Sequence, residues 1–343
     1  MSIIGAWGFE GRDATRDKII FYSGAALVFD TGVLPPLGAS TCSLRWGASI
    51  GLANVELDNS PVGSDFWIHL NVNWGSNNTL NNTLRIGWVS VDGVVAGYIT
   101  RENTTSRLQI WVNGVLRATA AVAVPIGSWK RLHVHVDYQN TGAGFVRVYE
   151  DGAVTGVPAV EWTGNTNPSA YGVIQTLLLG DYVSYWDDLM VLDPNDGMNP
   201  TDIDDIAFTS IGSRVPNVNG TDTTWVATPG AGSAYEDIDE IPNSDAEYIR
   251  ASAPSQASTF GFQNATLGQP LAIKVKARTV RSGVVAGANL AIRQRLGPTA
   301  TDSVDVPCPG DGDVHMILHT DANGADWSTV SFDGSEFGVV SKT

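Results

Sequence analysis

The amino-acid sequence predicts an all-β chain folded as two tandem antiparallel β-sandwiches, the second the smaller. Three observations carry this. Apolar and polar residues alternate with period two through several short stretches. Turn dipeptides of the Asn-Gly and Asp-Gly type separate those stretches. No segment holds a capped apolar stripe at helical spacing. The composition agrees. Charged residues are 16% of the chain, against about a quarter in an average soluble domain, and 37 glycines join Asn, Thr and Ser at polar and turn positions.

The elements follow in order. FWIHLNVNW (66–74), TLRIGWVSVDG (83–93), RLQIWVNG (107–114) and KRLHVHVDY (130–138) read as strands. In the last, Leu132, Val134 and Val136 point one way and Arg131, His133 and His135 the other. Asp92-Gly93, Asn113-Gly114, Asp151-Gly152 and Asp333-Gly334 supply the positive φ of two-residue hairpins. The strongest helix candidate, 199–208, is at most about two turns. Beyond it, 271–280, 289–296, 313–320 and 328–334 read as further strands. Only Trp225 and Trp327, of 11 tryptophans, lie past residue 200. This shift, with the acidic stretch around Pro200, places domains at 1–198 and 213–343 and a linker at 199–212. Strands this short and this regularly spaced are expected to build sandwiches.

The formal net charge is −16, so nucleic acid and anionic membranes are repelled and neither is an expected partner. No apolar run reaches the ~18–20 residues that cross a bilayer, and no secretory signal is visible in MSIIGAWGFEGRD. Cys42 and Cys308 stand far apart and are read as buried thiols. Asn-x-Thr triplets such as Asn264-Ala265-Thr266 are read as loop composition.

Residues 129–152, WKRLHVHVDYQNTGAGFVRVYEDG, resemble the central hairpin of concanavalin A-like, laminin G-like jelly rolls: a Trp, an alternating strand, a glycine-containing loop, then Tyr-x-Asp-Gly. IQTLLLGDYVSYWDDLMVL resembles that family's closing strand, and IIGAWGFEG its opening strand. The resemblance covers roughly 1–195 and implies a jelly-roll N-terminal domain, a fold that hosts lectins, adhesion modules, glycosidases and structural proteins. The stretch from Asp188 to Ile249 resembles the joint between two sandwiches in a group of tailed-phage virion proteins, with its Asp193-Pro194-Asn195-Asp196-Gly197 turn and the later Asp239-Glu240-Ile241-Pro242. That resemblance implies a virion structural protein, assembled in the bacterial cytoplasm with other virion proteins as a homo-oligomer.

Several sites are candidates. Asp187 and Asp188 would point to opposite faces of a regular strand, so they share a ligand only across a bulge. The run fits no calcium-binding helix–loop–helix spacing, because Gly197 falls where an oxygen ligand is needed. Turn-capping carboxylates are the favoured reading, with calcium held by Asp187 or Asp188 as the alternative. For catalysis, no pair of acids on one strand has glycosidase spacing, and Glu10 with Asp13 and Glu150 with Asp151 do not supply it. No Gly-x-Ser-x-Gly elbow is present. His133 with His135, and His315 with His319, each give half a zinc site without a third ligand.

Trp111, His133, His135, Arg147 and Tyr149 would share one face if strands 107–112, 130–138 and 145–150 pair in one sheet. Aromatic faces with hydrogen-bonding tips suit sugars. The expectation is a non-enzymatic virion protein without a resident cofactor, acting as a head-decoration or tail component. The alternatives are an adhesin that binds host-surface polysaccharide through these five residues and, third, a polysaccharide depolymerase.

Overall fold

In the computed structural model the chain divides into two compact units, Met1–Gly212 and Ser213–Thr343. The structure describes residues 2–7, 19–23, 27–30, 43–46, 51–57, 64–74, 85–102, 104–151, 154–181, 184–193, 214–228, 233–238, 247–264, 270, 272–280, 289–308 and 311–343. Glu10, Asp13, Cys42, the turn at 194–197 and the helix candidate at 199–208 lie outside them. Both units are built from antiparallel sheets, as the alternation predicts.

The first unit holds two large sheets. Sheet 1 runs β13 (Val160–Thr163), β12 (Phe145–Glu150), β11 (Trp129–Asp137), β6 (Asp65–Trp74), β15 (Ser184–Asp193), β4 (Ser43–Trp46) and β3 (Leu27–Asp30), with β1 (Ser2–Trp7) also pairing β15. Sheet 2 runs β10 (Val115–Ala123), β9 (Arg107–Val112), β8 (Val95–Arg101), β7 (Arg85–Ser90), β14 (Ile174–Asp181), β5 (Gly51–Glu56) and β2 (Ile19–Ser23).

One phase of each alternation makes the core. Phe66, Ile68, Leu70 and Val72 of β6 and Leu132, Val134 and Val136 of β11 are buried in one cluster with Ile86, Trp88, Ile99, Leu108, Ile110 and Val112 from sheet 2. Each such side chain contributes about 1.5–3 kcal/mol by leaving water. Trp88 meets Phe66 edge-on, with ring centroids 6.4 Å apart. It fits because Gly97 lies beneath it: a Cβ there would fall 2.3 Å from the Trp88 ring. Asn113 and Gly114 take φ of 50° and 71°, the pair of positive values that a tight β9–β10 hairpin needs.

The second unit carries a smaller sheet of β16 (Pro216–Thr223), β19 (Ala257–Phe262), β25 (Ser335–Lys342), β21 (Asn289–Leu296) and β22 (Thr299–Asp302), with β23 (Val306–Pro307) also on β21. Two strand pairs accompany it, β17 (Val226–Thr228) with β18 (Tyr248–Arg250) and β20 (Ile273–Val280) with β24 (Asp311–Leu318). Val275, Ala277 and Val314 of the β20–β24 pair pack on Leu290, Ile292 and Val339 of the sheet. A second cluster gathers Trp327, Phe337 and Leu318.

Three local expectations fail here. Residues 328–334 are not a strand. Ser328 caps a short helix, α1 (Thr329–Asp333), its hydroxyl accepting from the Ser331 N–H while the Ser331 hydroxyl accepts from the Ser328 N–H. Gly334 has φ −90° and ends that helix, so Asp333-Gly334 makes no hairpin. Cys308 is half-buried rather than buried.

Candidate functional site

The polar phase of sheet 1 faces away from the core, and strand register sorts it into rows. Leu192, Trp67, His135, Arg147 and Glu161 stand directly opposite one another across β15, β6, β11, β12 and β13. The next row reads Met190, His69, His133 and Tyr149, and the row beyond it Asp187, Asn71 and Arg131. On the other side Asp65, Asp137, Phe145 and Thr163 align.

Toward β12 and β13 this face is open. The Arg147 and Glu161 side chains are 37% and 57% exposed, and His135 14%. Rings and charges interlock here. His135 stacks on Trp67, with centroids 3.8 Å apart and planes 18° off parallel, and meets Phe145 edge-on at 4.7 Å. The Arg147 guanidinium lies over the Phe145 ring at 4.1 Å and reaches Glu161 at 3.4 Å. His135 Nε2 bonds the Asp65 carboxylate at 2.6 Å. Asp65 and Asp137 oppose each other as like charges. His135 holds the first, and the Gln139 amide donates to both oxygens of the second at 2.6 and 2.8 Å.

Toward β6 and β15 the same face is closed. His69 and His133 are 1% exposed, and Asp187 and Asp188 fully buried. The Nδ1 atoms of the two histidines lie 3.1 Å apart, so one ring donates and the other accepts. Burial first, then His133 and the Arg131 charge, hold His69 well below the usual imidazole pKa. The Asn71 amide donates to Asp188 at 2.6 Å, and the Asp188 N–H donates to Asp187 at 2.8 Å. Burial lowers the Arg131 pKa, against the Asp188 and Asp151 carboxylates that favour its charge. At the far end Lys130 bridges Glu150 and Asp151 at 3.0 and 2.5 Å. A shallow pocket of about 180 Å³ opens there, lined by Asn71, Trp129, Lys130, Arg131 and Asp151.

Strand β15 is where the expectation for the two aspartates changes. Its register against β6 shifts between Asp187 and Met190, and Asp188 takes φ 50°. This bulge inserts one residue and turns Asp188 onto the Asn71 side, beside Asp187. The two carboxylates therefore do share a side. Among the described residues no group of three or more His, Cys, Asp or Glu gathers to hold a metal ion.

The five-residue platform does not form as one surface. Strand 107–112 belongs to sheet 2, so Trp111 lies on the other side of the sandwich, where it stacks on Tyr98 at 5.7 Å and donates to Gln109 at 3.2 Å. His133, His135, Arg147 and Tyr149 do share the outer face of sheet 1, but His133 and Tyr149 lie in its buried part, at 1% and 6% exposure. His319 lies past the end of β24, so it does not share a strand with His315. Sequence reasoning missed Asp65 and Phe145 as members of the open face, and Trp67, 5% exposed, as the ring on which His135 stacks. The signal was present: Asp-x-Trp-x-His-x-Asn in 65–71 matches the polar phase of 131–137 read in reverse, as antiparallel neighbours must.

No protein-family model matches this sequence, and no curated protein is similar to it. Solved structures of similar fold exist. An endo-β-1,4-glucuronan lyase from Trichoderma reesei is 10% identical over 54% of this chain and 93% of its own, with a TM-score of 0.38. Domain 4 of a GH43 extracellular arabinanase from Geobacillus stearothermophilus, in complex with arabinotriose, is 14% identical over 60% and 98%, with a TM-score of 0.41. The catalytic domain of a glycoside hydrolase family 131 protein from Coprinopsis cinerea is 10% identical over 56% and 95%, at 0.38. At these values the likeness is one of fold and assigns no activity or ligand to this chain. None of the three is a virion protein. Two are enzymes or catalytic domains, and this corrects the expectation of a non-enzymatic chain: similar folds carry lyase and hydrolase chemistry, so a non-catalytic role does not follow from the jelly roll.

Proposed function

We propose that this chain recognises carbohydrate through the open part of the outer face of sheet 1, as a host-contacting component of a tailed-phage virion. The observation that carries the recognition reading is the row His135–Arg147–Glu161 with Phe145 and Asp65 beside it, backed by the buried Trp67 ring on which His135 stacks. Aromatic rings and hydrogen-bonding tips alternate there across strands about 4.8 Å apart, a spacing suited to one sugar ring. Ring faces pack the C–H surface of a sugar. Carboxylates such as Asp65 and Glu161 accept from hydroxyls, and the Arg147 guanidinium donates to ring and hydroxyl oxygens. The virion setting rests on the sequence resemblance between Asp188 and Ile249.

The test is binding of purified chain to immobilised host-surface polysaccharide. Phe145→Ala and Arg147→Ala are each expected to weaken binding about tenfold or more, the size of a central contact. Equal binding by both variants ends this reading. Reducing ends and unsaturated products are followed in the same incubation, which reports whether cleavage accompanies binding. Immuno-electron microscopy of intact particles with antibody to the chain checks the virion setting separately.

A further inference from the structure

The open end of the outer face of sheet 1 is uneven in charge. Asp65 and Asp137 stand directly opposite each other on β6 and β11, and Glu161 lies two strands from His135 in the next row. The Asp65 and Glu161 side chains are 36% and 57% exposed. Against these three carboxylates the same two rows hold one arginine, Arg147, and no lysine. The charge of Arg147 is already answered: Glu161 meets it at 3.4 Å while its guanidinium lies over the Phe145 ring. The further cations of β11, Lys130 and Arg131, lie four and five residues from His135, about 13 Å or more along the strand. Lys130 is held there by Glu150 and Asp151.

We propose that this face takes uncharged sugar units and rejects acidic ones, so that its ligand is a neutral glycan; this rests on the carbohydrate reading above and narrows it. A sugar hydroxyl donates to a carboxylate and accepts from a guanidinium, so it satisfies Asp65, Glu161 and Arg147 alike. The carboxylate of a uronic acid unit has no proton to donate. It meets like charge at Asp65, Asp137 and Glu161, and it reaches Arg147 only by competing with Glu161. The selectivity is thus a repulsion built into the face. The net charge of −16 also repels an acidic polymer from the chain as a whole, and the two effects separate by position. Glu102 serves for that comparison. It follows Arg101, whose guanidinium lies over Trp74, and Trp74 and Asp65 are the two ends of β6, about 30 Å apart.

Dissociation constants of the full chain for host-surface polysaccharide in three forms test this: as isolated, with its uronic acid carboxyls reduced to primary alcohols, and with its primary alcohols oxidised to carboxylates. The oxidised form is expected to bind about tenfold or more weaker than the isolated form, since like charges are brought together. The reduced form is expected to bind as well as the isolated form or better. Raising salt from about 20 to about 300 mM should narrow the gap between oxidised and reduced forms as the repulsion is screened. At fixed salt Glu161→Gln should narrow it too, while Glu102→Gln, which removes the same charge at the other end of β6, should leave it as in the parent. Binding of none of the three forms ends the carbohydrate reading itself. Binding that oxidation leaves unchanged or strengthens, or that carboxyl reduction weakens, overturns the neutral assignment and leaves the carbohydrate reading standing. So does a gap that Glu102→Gln narrows as much as Glu161→Gln, because the selectivity then belongs to net charge and not to this face.

Discussion

His133 and His135 sit two residues apart on one strand and on one face, yet they live in different chemistry. His133 is closed in beside His69, its Nδ1 3.1 Å from that of the second ring. His135 stacks on Trp67, bonds Asp65 and reaches solvent. The difference does not come from the residues themselves. It comes from how near each row lies to the bulge of β15, which fills the closed end with Asp187 and Asp188. One sheet face is thus divided into a structural half and a half free to meet a ligand.

Three substitutions or conditions sharpen that division, and the largest effect belongs to the closed half. Asn71→Leu removes the amide donor from the buried Asp188 carboxylate; a lost hydrogen bond to a charged group costs about 1.5–3 kcal/mol. Urea unfolding of the first unit should show the loss as a lower midpoint at unchanged slope. An unshifted midpoint would mean that Asp188 does not depend on Asn71.

Acid comes next. The folded-state pKa of His69 lies below the ordinary imidazole value of 6.5, so between the two values the unfolded chain binds the extra proton. The stability tied to His69 is therefore complete above pH 6.5 and is lost as pH falls from there toward the folded pKa. Unfolding midpoints measured from about pH 7.5 down to about pH 5 should decline, and His69→Gln should flatten that decline. A decline that His69→Gln leaves intact would contradict this.

The smallest stability effect belongs to the open half. Arg147→Ala breaks an exposed pair with Glu161, and such pairs are worth about 0–1 kcal/mol. The melting temperature should hardly move while carbohydrate binding falls. A large drop in stability would make Arg147 a packing residue.

Much of this fold was legible in the sequence, and the reason is local. Period-two alternation marks β6, β9, β11 and β21, and Asn113-Gly114 gives the β9–β10 turn its positive φ without outside help. What alternation cannot supply is the identity of a strand's neighbours. Strand 107–112 carries the same pattern as 130–138, but long-range pairing places it in the opposite sheet and takes Trp111 with it. The His69–His133 contact joins residues 64 apart and exists only through the β6–β11 register. The shared side of Asp187 and Asp188 needs a bulge that their own sequence does not announce. Residues 328–334 went wrong for the opposite reason: a serine cap overrode an alternation that packing did not reinforce.

The central claim is that ligand meets the His135 end of this face and not the His133 end. Side-chain imidazole resonances of the chain's five histidines, followed while oligosaccharide from the host surface is added, test it most directly. The account predicts that the His135 signals move and saturate while those of His69 and His133 hold still. Saturable binding that leaves His135 unmoved, or that moves only His315 and His319 in the second unit, would contradict it.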